Sequence, residues 1–286
     1  MNKKLLNLYQ SKWEKLSISM KHILSDEQLE DKPSNPLLLY INEEEYKQAD
    51  IKIMIYGQET NSWMGLFQDN INLTLTNYDE FLNQGECWNY GGQFWNGVSR
   101  FLALLQEKYP TKKISLVWNN LVKIGKYDEK GFPPDYIYET ERKNFDVAKE
   151  ELKILQPSII LFLTGPNYDS VINDNFGELA FSKVPSNFSE RAIAKVSMVG
   201  IPFAFRTYHP NYLWRNDINA YFETIIDKIN ISNEDNLSLK SIDELKASME
   251  KIRLQKINLI HEQKFEEAAR LRDYEKSLID TIEFKS

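Results

Sequence analysis

One cysteine in 286 residues, Cys87, leaves no route to an intramolecular disulfide, a four-cysteine zinc site or a cysteine-ligated iron–sulfur cluster. Histidine is almost as scarce. With only His22, His209 and His261 available, a histidine-rich metal centre is not expected, and neither a metal nor a cofactor is assigned. No apolar run approaches the ~20 residues that span a bilayer, and the longest, around Ser158 to Leu163, is strand-sized. The N-terminal segment has basic residues but no uninterrupted apolar core and no small-residue cleavage site. A signal peptide is therefore not expected, and the chain reads as cytoplasmic with no membrane partner. Positive charge is also in short supply: 35 basic against 42 acidic side chains leave a net charge of -7. That balance argues against a sequence-blind binder whose affinity comes from gripping phosphates, though it permits a local basic groove.

What the chain does have is an ordinary globular composition, 42% hydrophobic and 27% charged, enough to bury a core. Apolar residues between Leu5 and Leu24 fall at helical spacing, and Pro33 breaks the pattern. Four short β-rich runs then recur: Ile51 to Tyr56, Ile114 to Trp118, Ile159 to Leu163 and Ile201 to Phe205. Helices are expected over Phe94 to Glu107, Thr140 to Leu155, Tyr168 to Asn173 and Ile218 to Ile229. Such alternation predicts an α/β fold of three layers, with a central four-stranded parallel sheet between helices. A polar stretch, Ser232 to Asn236, reads as a linker that separates residues 1–232 from a charged helical hairpin over 233–286, broken near His261 to Gln263.

In an open α/β sheet the loops at the carboxyl ends of the strands converge on one crevice. Here those ends run into Gly57-Gln58-Glu59-Thr60-Asn61, Asn119-Asn120-Leu121-Val122-Lys123, Thr164-Gly165-Pro166-Asn167 and Thr207-Tyr208-His209-Pro210-Asn211. A carboxylate, an amide pair and a histidine are thus expected to face one another. Each cluster alone is ordinary turn chemistry. Their shared position at strand ends is what points to a site.

The residues from Thr207 to Asn216, TYHPNYLWRN, closely resemble the TYHPxYLxRN segment of the uracil-DNA glycosylase superfamily, specifically its bacterial and archaeal family-4 type. Asn120-Leu121-Val122-Lys123 resembles that group's NVVK turn, Phe94-Trp95-Asn96-Gly97 its FVGRAG segment, and Ile53 to Glu59 its first motif. The resemblance spans about Ile51 to Ile229. It implies a base-excision repair hydrolase that flips uracil or a related base out of DNA and cuts its N-glycosidic bond. Carried over by position, the resemblance implies catalytic roles for Glu59 and His209, with Gln58 as the alternative occupant of the functional slot, where family 4 carries Glu. It implies base contacts from Asn120, Phe94 and Gly57. Lys123 would contact a phosphate or hold its turn, and Leu213 and Trp214 would wedge into the gap left by the flipped base, with Arg215 beside them on the DNA.

The sequence also departs from the family. Thr60 and Asn61 stand where the first motif has Pro and then Gly or Tyr, the iron–sulfur cysteines are missing, and Met64 to Gly92 is an insertion rich in Asn and aromatics. Which base is removed is left open by these changes. A lid and a surface elaboration are equally compatible with the insertion. A second resemblance covers the tail: Gln263 to Asp273, QKFEEAARLRD, is similar to the UVR motif of nucleotide-excision-repair subunits and some Clp-type ATPases. It implies a protein partner or self-association. The alternative to an enzyme is a non-catalytic base- or nucleotide-binding module, or an adaptor whose working part is the tail.

Overall fold

The computed structural model describes residues 1–231, 241–261 and 264–285. The expected linker at Ser232 to Asn236 and part of the expected hairpin break lie outside them. At the centre is a mixed, mostly parallel sheet of six strands: β1 (Ile51–Glu59), β2 (Ile114–Val122), β3 (Ile159–Leu163), β4 (Ala180–Lys183), β5 (Ile193–Ser197) and β6 (Phe203–Thr207), in the order β2-β1-β3-β6-β5-β4. The four strands read from the sequence are the four parallel neighbours β2, β1, β3 and β6. The count of four is corrected to six by β4 and β5, an antiparallel pair that extends the β6 edge. All five residues of β3 are buried, as are Ile53, Met54, Ile55 and Tyr56 of β1, because parallel strands covered on both faces must be apolar on both.

Helices cover both faces. One group is α1 (Asn2–Ser25), α6 (Asp135–Asn144), α7 (Ala148–Leu155) and α8 (Asp169–Phe176), which pack on one another. The other is α5 (Gly92–Lys108), α9 (Pro210–Leu213) and α10 (Ile218–Asp227), locked by the edge-on rings of Phe101 and Phe222. Remaining short helices are α2 (Glu43–Gln48), α3 (Ile71–Tyr78) and α4 (Glu86–Tyr90). The single helix expected over Thr140 to Leu155 is two. Phe145 and Val147 are both buried, and two positions apart on a continuous helix they would point about 200° away from each other. Breaking the helix there lets both enter the core.

The tail forms α11 (Ile242–His261) and α12 (Phe265–Lys285), an antiparallel pair closed around Leu245, Ile252 and Leu278. Its far end is anchored on the main body: the Gln156 side chain donates to the Lys285 carbonyl at 3.2 Å, and a Cβ on Gly200 would collide with the Phe284 ring. Gln156 and Gly200 precede β3 and β6, so the anchor lies at the amino ends of the strands. Among the described residues no helix is long and apolar enough to cross a membrane.

Candidate functional site

The chain passes from β1 to β2 on one side and then to β3 on the other, so the sheet has a switch point at the carboxyl end of β1, where a crevice opens. A cleft of about 660 Å³ lies at this end of the sheet. Gly57, Gln58 and Glu59 from β1, Asn120 from β2, Phe94 from the first turn of α5, and His209 all line it. The strands run further than their apolar cores. Gly57 to Glu59 and Asn119 to Val122, expected as turns, are strand residues, paired Gly57 with Asn120 and Glu59 with Val122.

Gly57 is required by its opposite number. A Cβ there would overlap Asn120 Oδ1 and sit 3.3 Å from the Phe94 ring, so only glycine leaves the Asn120 amide its place. Asn120 is held from behind by a buried network. Its own N–H donates to Asn119 Oδ1 at 2.9 Å, and the same oxygen accepts from Lys123 Nζ at 2.7 Å. Lys123 Nζ then pairs with Glu151 at 2.9 Å, and Glu151 accepts from Asn119 Nδ2 and the Tyr9 hydroxyl. Glu141 accepts the N–H groups of Lys123 and Ile124, both at 2.9 Å, fixing the turn itself, while burial pushes its carboxyl up to about 7. Lys123 is only 3% exposed, so it holds the turn, and a phosphate contact by this residue is ruled out.

His209 caps α9, with Pro210 at the first helical position. The Asn211 N–H donates to His209 Nδ1 at 3.1 Å, which places the proton of the neutral ring on Nε2. Burial lowers the imidazole pKa, favouring that neutral form. The ring stacks near Phe94, centroids 5.7 Å apart and planes at 28°. Close approach of α9 to α5 is possible because Gly97 has no side chain: a Cβ there would lie 2.6 Å from Pro210.

Glu59 is half-buried, and desolvation raises its carboxyl above the ordinary range. The hydrogen bond from the Tyr168 hydroxyl and the charge of Lys126 oppose that rise. Gln58 is committed elsewhere, its Nε2 donating to the Thr164 carbonyl at 2.8 Å at the end of β3. Glu59 is the one carboxylate among the described residues that line the cleft. Thr60, the departure from the family pattern, is buried and ties strand ends together: its N–H donates to Val122 O at 3.1 Å and its hydroxyl accepts from Gly125 N–H at 2.6 Å. A proline there would forgo the first of these bonds.

The other wall is aromatic. Trp63, Phe81, Trp95 and Trp118 lie edge to face at 5.1 to 5.3 Å between neighbouring centroids. Phe81 and Tyr90 come from the 64–92 insertion, which therefore builds part of the cleft. Leu213 does not reach the cleft. It is fully buried, on the face of α9 that Pro210 shares, so its expected role as a wedge is corrected. Trp214 is exposed, with its indole N–H donated to the Gln93 carbonyl at 3.2 Å, and exposed Arg215 reaches the Asn211 side chain at 3.4 Å.

Sequence reasoning missed Tyr168, whose contact with Glu59 is made across 109 positions and carries no local signal. It also missed Asn211 and Trp118 as lining residues. Asn211 lies inside the quoted TYHPNYLWRN segment, and Trp118 is the last residue of a run read only as strand. Comparison of the chain with models of protein families and with curated proteins gives no match.

Proposed function

We propose that the cleft receives a nucleobase turned out of a DNA strand, and that the protein is a glycosylase that hydrolyses the N-glycosidic bond of uracil or a related base. The observation that carries this reading is the meeting of Glu59, Asn120, His209 and Phe94 around one cleft. The mostly parallel sheet between helical layers fits the three-layer fold of the uracil-DNA glycosylase superfamily, which the motifs resemble.

Breaking the bond leaves positive charge on the sugar and negative charge on the departing base. The Glu59 carboxylate orients a water molecule toward the sugar carbon and stabilises the developing cation. His209 Nε2–H donates to the base oxygen that becomes anionic. Asn120 pairs with the polar edge of the base, and Phe94 stacks on its face. A neutral histidine suits this task, because a preorganised neutral donor acts without having to lose a proton.

The direct test is incubation with uracil-containing single- and double-stranded oligonucleotides followed by alkaline cleavage. Strand breaks at the uracil position support the proposal. Binding without abasic product assigns the cleft to base recognition alone. Two substitutions probe the site further. Gly57→Ala is expected to displace the Asn120 amide and to weaken binding of uracil-containing DNA while circular dichroism is unchanged, and wild-type affinity would contradict it. Tyr168→Phe removes a hydrogen bond that lowers the Glu59 pKa, so the pKa rises further above the usual carboxylate range. Because the ionised form is the working one, the acidic limb of the pH–rate profile moves to higher pH. A profile shifted the other way, or not at all, removes Tyr168 from this role.

We assign the hairpin to protein contact. Leu254, Ile257, Ile260 and Phe265 are exposed toward its tip, the end opposite the anchored Phe284.

A further inference from the structure

Among described residues 1–231, every exposed aromatic residue except Tyr40 falls in one of three segments, 88–90, 127–132 and 212–214, each adjoining residues that line the cleft. These rings are not loosely hung. Tyr90, 69% exposed, leans edge-on against Phe81 at 5.6 Å, and Trp88 against Trp95 at 5.7 Å. Phe132 packs against Tyr168, the partner of Glu59, and Tyr212 lies 4.2 Å from the Tyr208 ring. Trp214 is fixed by its bond to the Gln93 carbonyl, one residue before Phe94. Trp88, Tyr90, Phe132, Tyr212 and Trp214 are thus exposed while a cleft-wall or neighbouring group sets their orientation. Side chains held this way lose little conformational freedom when they bind.

Charge decides what such rings are for. The segments 86–93, 126–132 and 209–217 carry Lys126, Lys130 and Arg215 against Glu86, Asp128, Glu129 and Asp217. Lys126 is itself paired with Glu129 at 3.5 Å. The rim therefore has no basic track of the kind that holds duplex phosphates. It offers flat apolar faces instead, and bases can lie on those only when they are unpaired and unstacked.

We infer that the rim is a stacking platform for single-stranded nucleic acid, so that bases flanking the one in the cleft lie on Trp214 and Tyr90, and unpaired strands are selected over duplex. The inference rests on the nucleobase reading of the cleft and names its substrate class. The test uses fluorescence anisotropy with a labelled oligothymidylate of about 12 nucleotides, free of uracil, and the same strand paired to its complement. The single strand is expected to bind at least about tenfold more tightly, and to lose less than about tenfold of its affinity between 50 and 200 mM salt, because few phosphates are neutralised. Trp214→Ala and Tyr90→Ala, checked for folding by thermal melts, should each weaken single-strand binding by about fivefold or more. Tyr90→Phe, which keeps the ring, should not.

Equal or tighter duplex binding overturns the inference. So does affinity indifferent to the ring substitutions, which would assign these faces to a protein partner. Because the binding probes lack uracil, the outcomes separate: ring-dependent binding of these probes with no abasic product from uracil-containing strands ends the glycosylase proposal alone, and excision from those strands coupled to a duplex preference ends this inference alone.

Discussion

Replacing His209 with alanine, or Glu59 with glutamine, is expected to lower single-turnover excision of uracil by about 100- to 1000-fold, the usual cost of losing one preorganised group that acts on developing charge. The geometry says why each loss is specific. His209 is oriented twice, by the Asn211 N–H on Nδ1 and by its stacking on Phe94, so Nε2–H is left as the donor. Alanine removes that donor and leaves Pro210 and Leu213 to hold α9 in place. Glu59→Gln keeps size and the contact with Tyr168 but removes the negative charge that the proposed mechanism sets against the sugar cation. Quench-flow or manual time courses with enzyme in excess read the chemical step, and melts establish that folding is retained. Wild-type rates in both variants would remove these residues from the chemistry.

Lys123→Ala is expected to destabilise the protein by about 3–5 kcal/mol, because it leaves the Glu151 carboxylate buried without its cation. Urea unfolding measures this. The interaction is buried on both sides, so the loss should change little with salt, unlike that of a surface pair. Had Lys123 served a phosphate, the same substitution would have reduced DNA affinity and its salt dependence while sparing stability. The Lys123–Glu151 pair also holds Asn119, which accepts from the Asn120 N–H, so any folded remnant of the variant should bind base poorly.

Much of the frame was legible in the sequence because it is written in local patterns. β1, β2 and β3 announce themselves as short apolar runs, and α1 as apolar residues at helical spacing. β4 and β5 escaped notice for a physical reason. β5 is only five residues long and breaks its apolar run with Lys195, and the edge strand β4, with Ala180, Ser182 and Lys183 exposed, has almost no apolar signature. The polar ends of β1 and β2 read as turns, since only pairing with a neighbouring strand shows that Gly57 and Asn120 continue the ladder. Within the site, residue types were readable but exposure was not. Leu213 and Lys123 sit in strong motif positions, yet what buries them comes from elsewhere: Gly97 lets α9 approach α5, and Glu151 and Tyr9 enclose the Lys123 turn. The role of the insertion was equally hidden, because Phe81 and Tyr90 become cleft wall only once Trp95 and Trp118 are beside them.

The proposed excision requires a base lying against Phe94 with its polar edge toward Asn120 and a carbonyl oxygen toward His209. A crystal structure of the Glu59→Gln protein with a short uracil-containing single strand tests that placement atom by atom. The expected result is an unstacked uracil turned out of the strand onto Phe94, within hydrogen-bonding distance of the Asn120 amide and His209 Nε2, its sugar above residue 59. A strand bound with the cleft empty, or with the base seated away from Phe94 and Asn120, would contradict it.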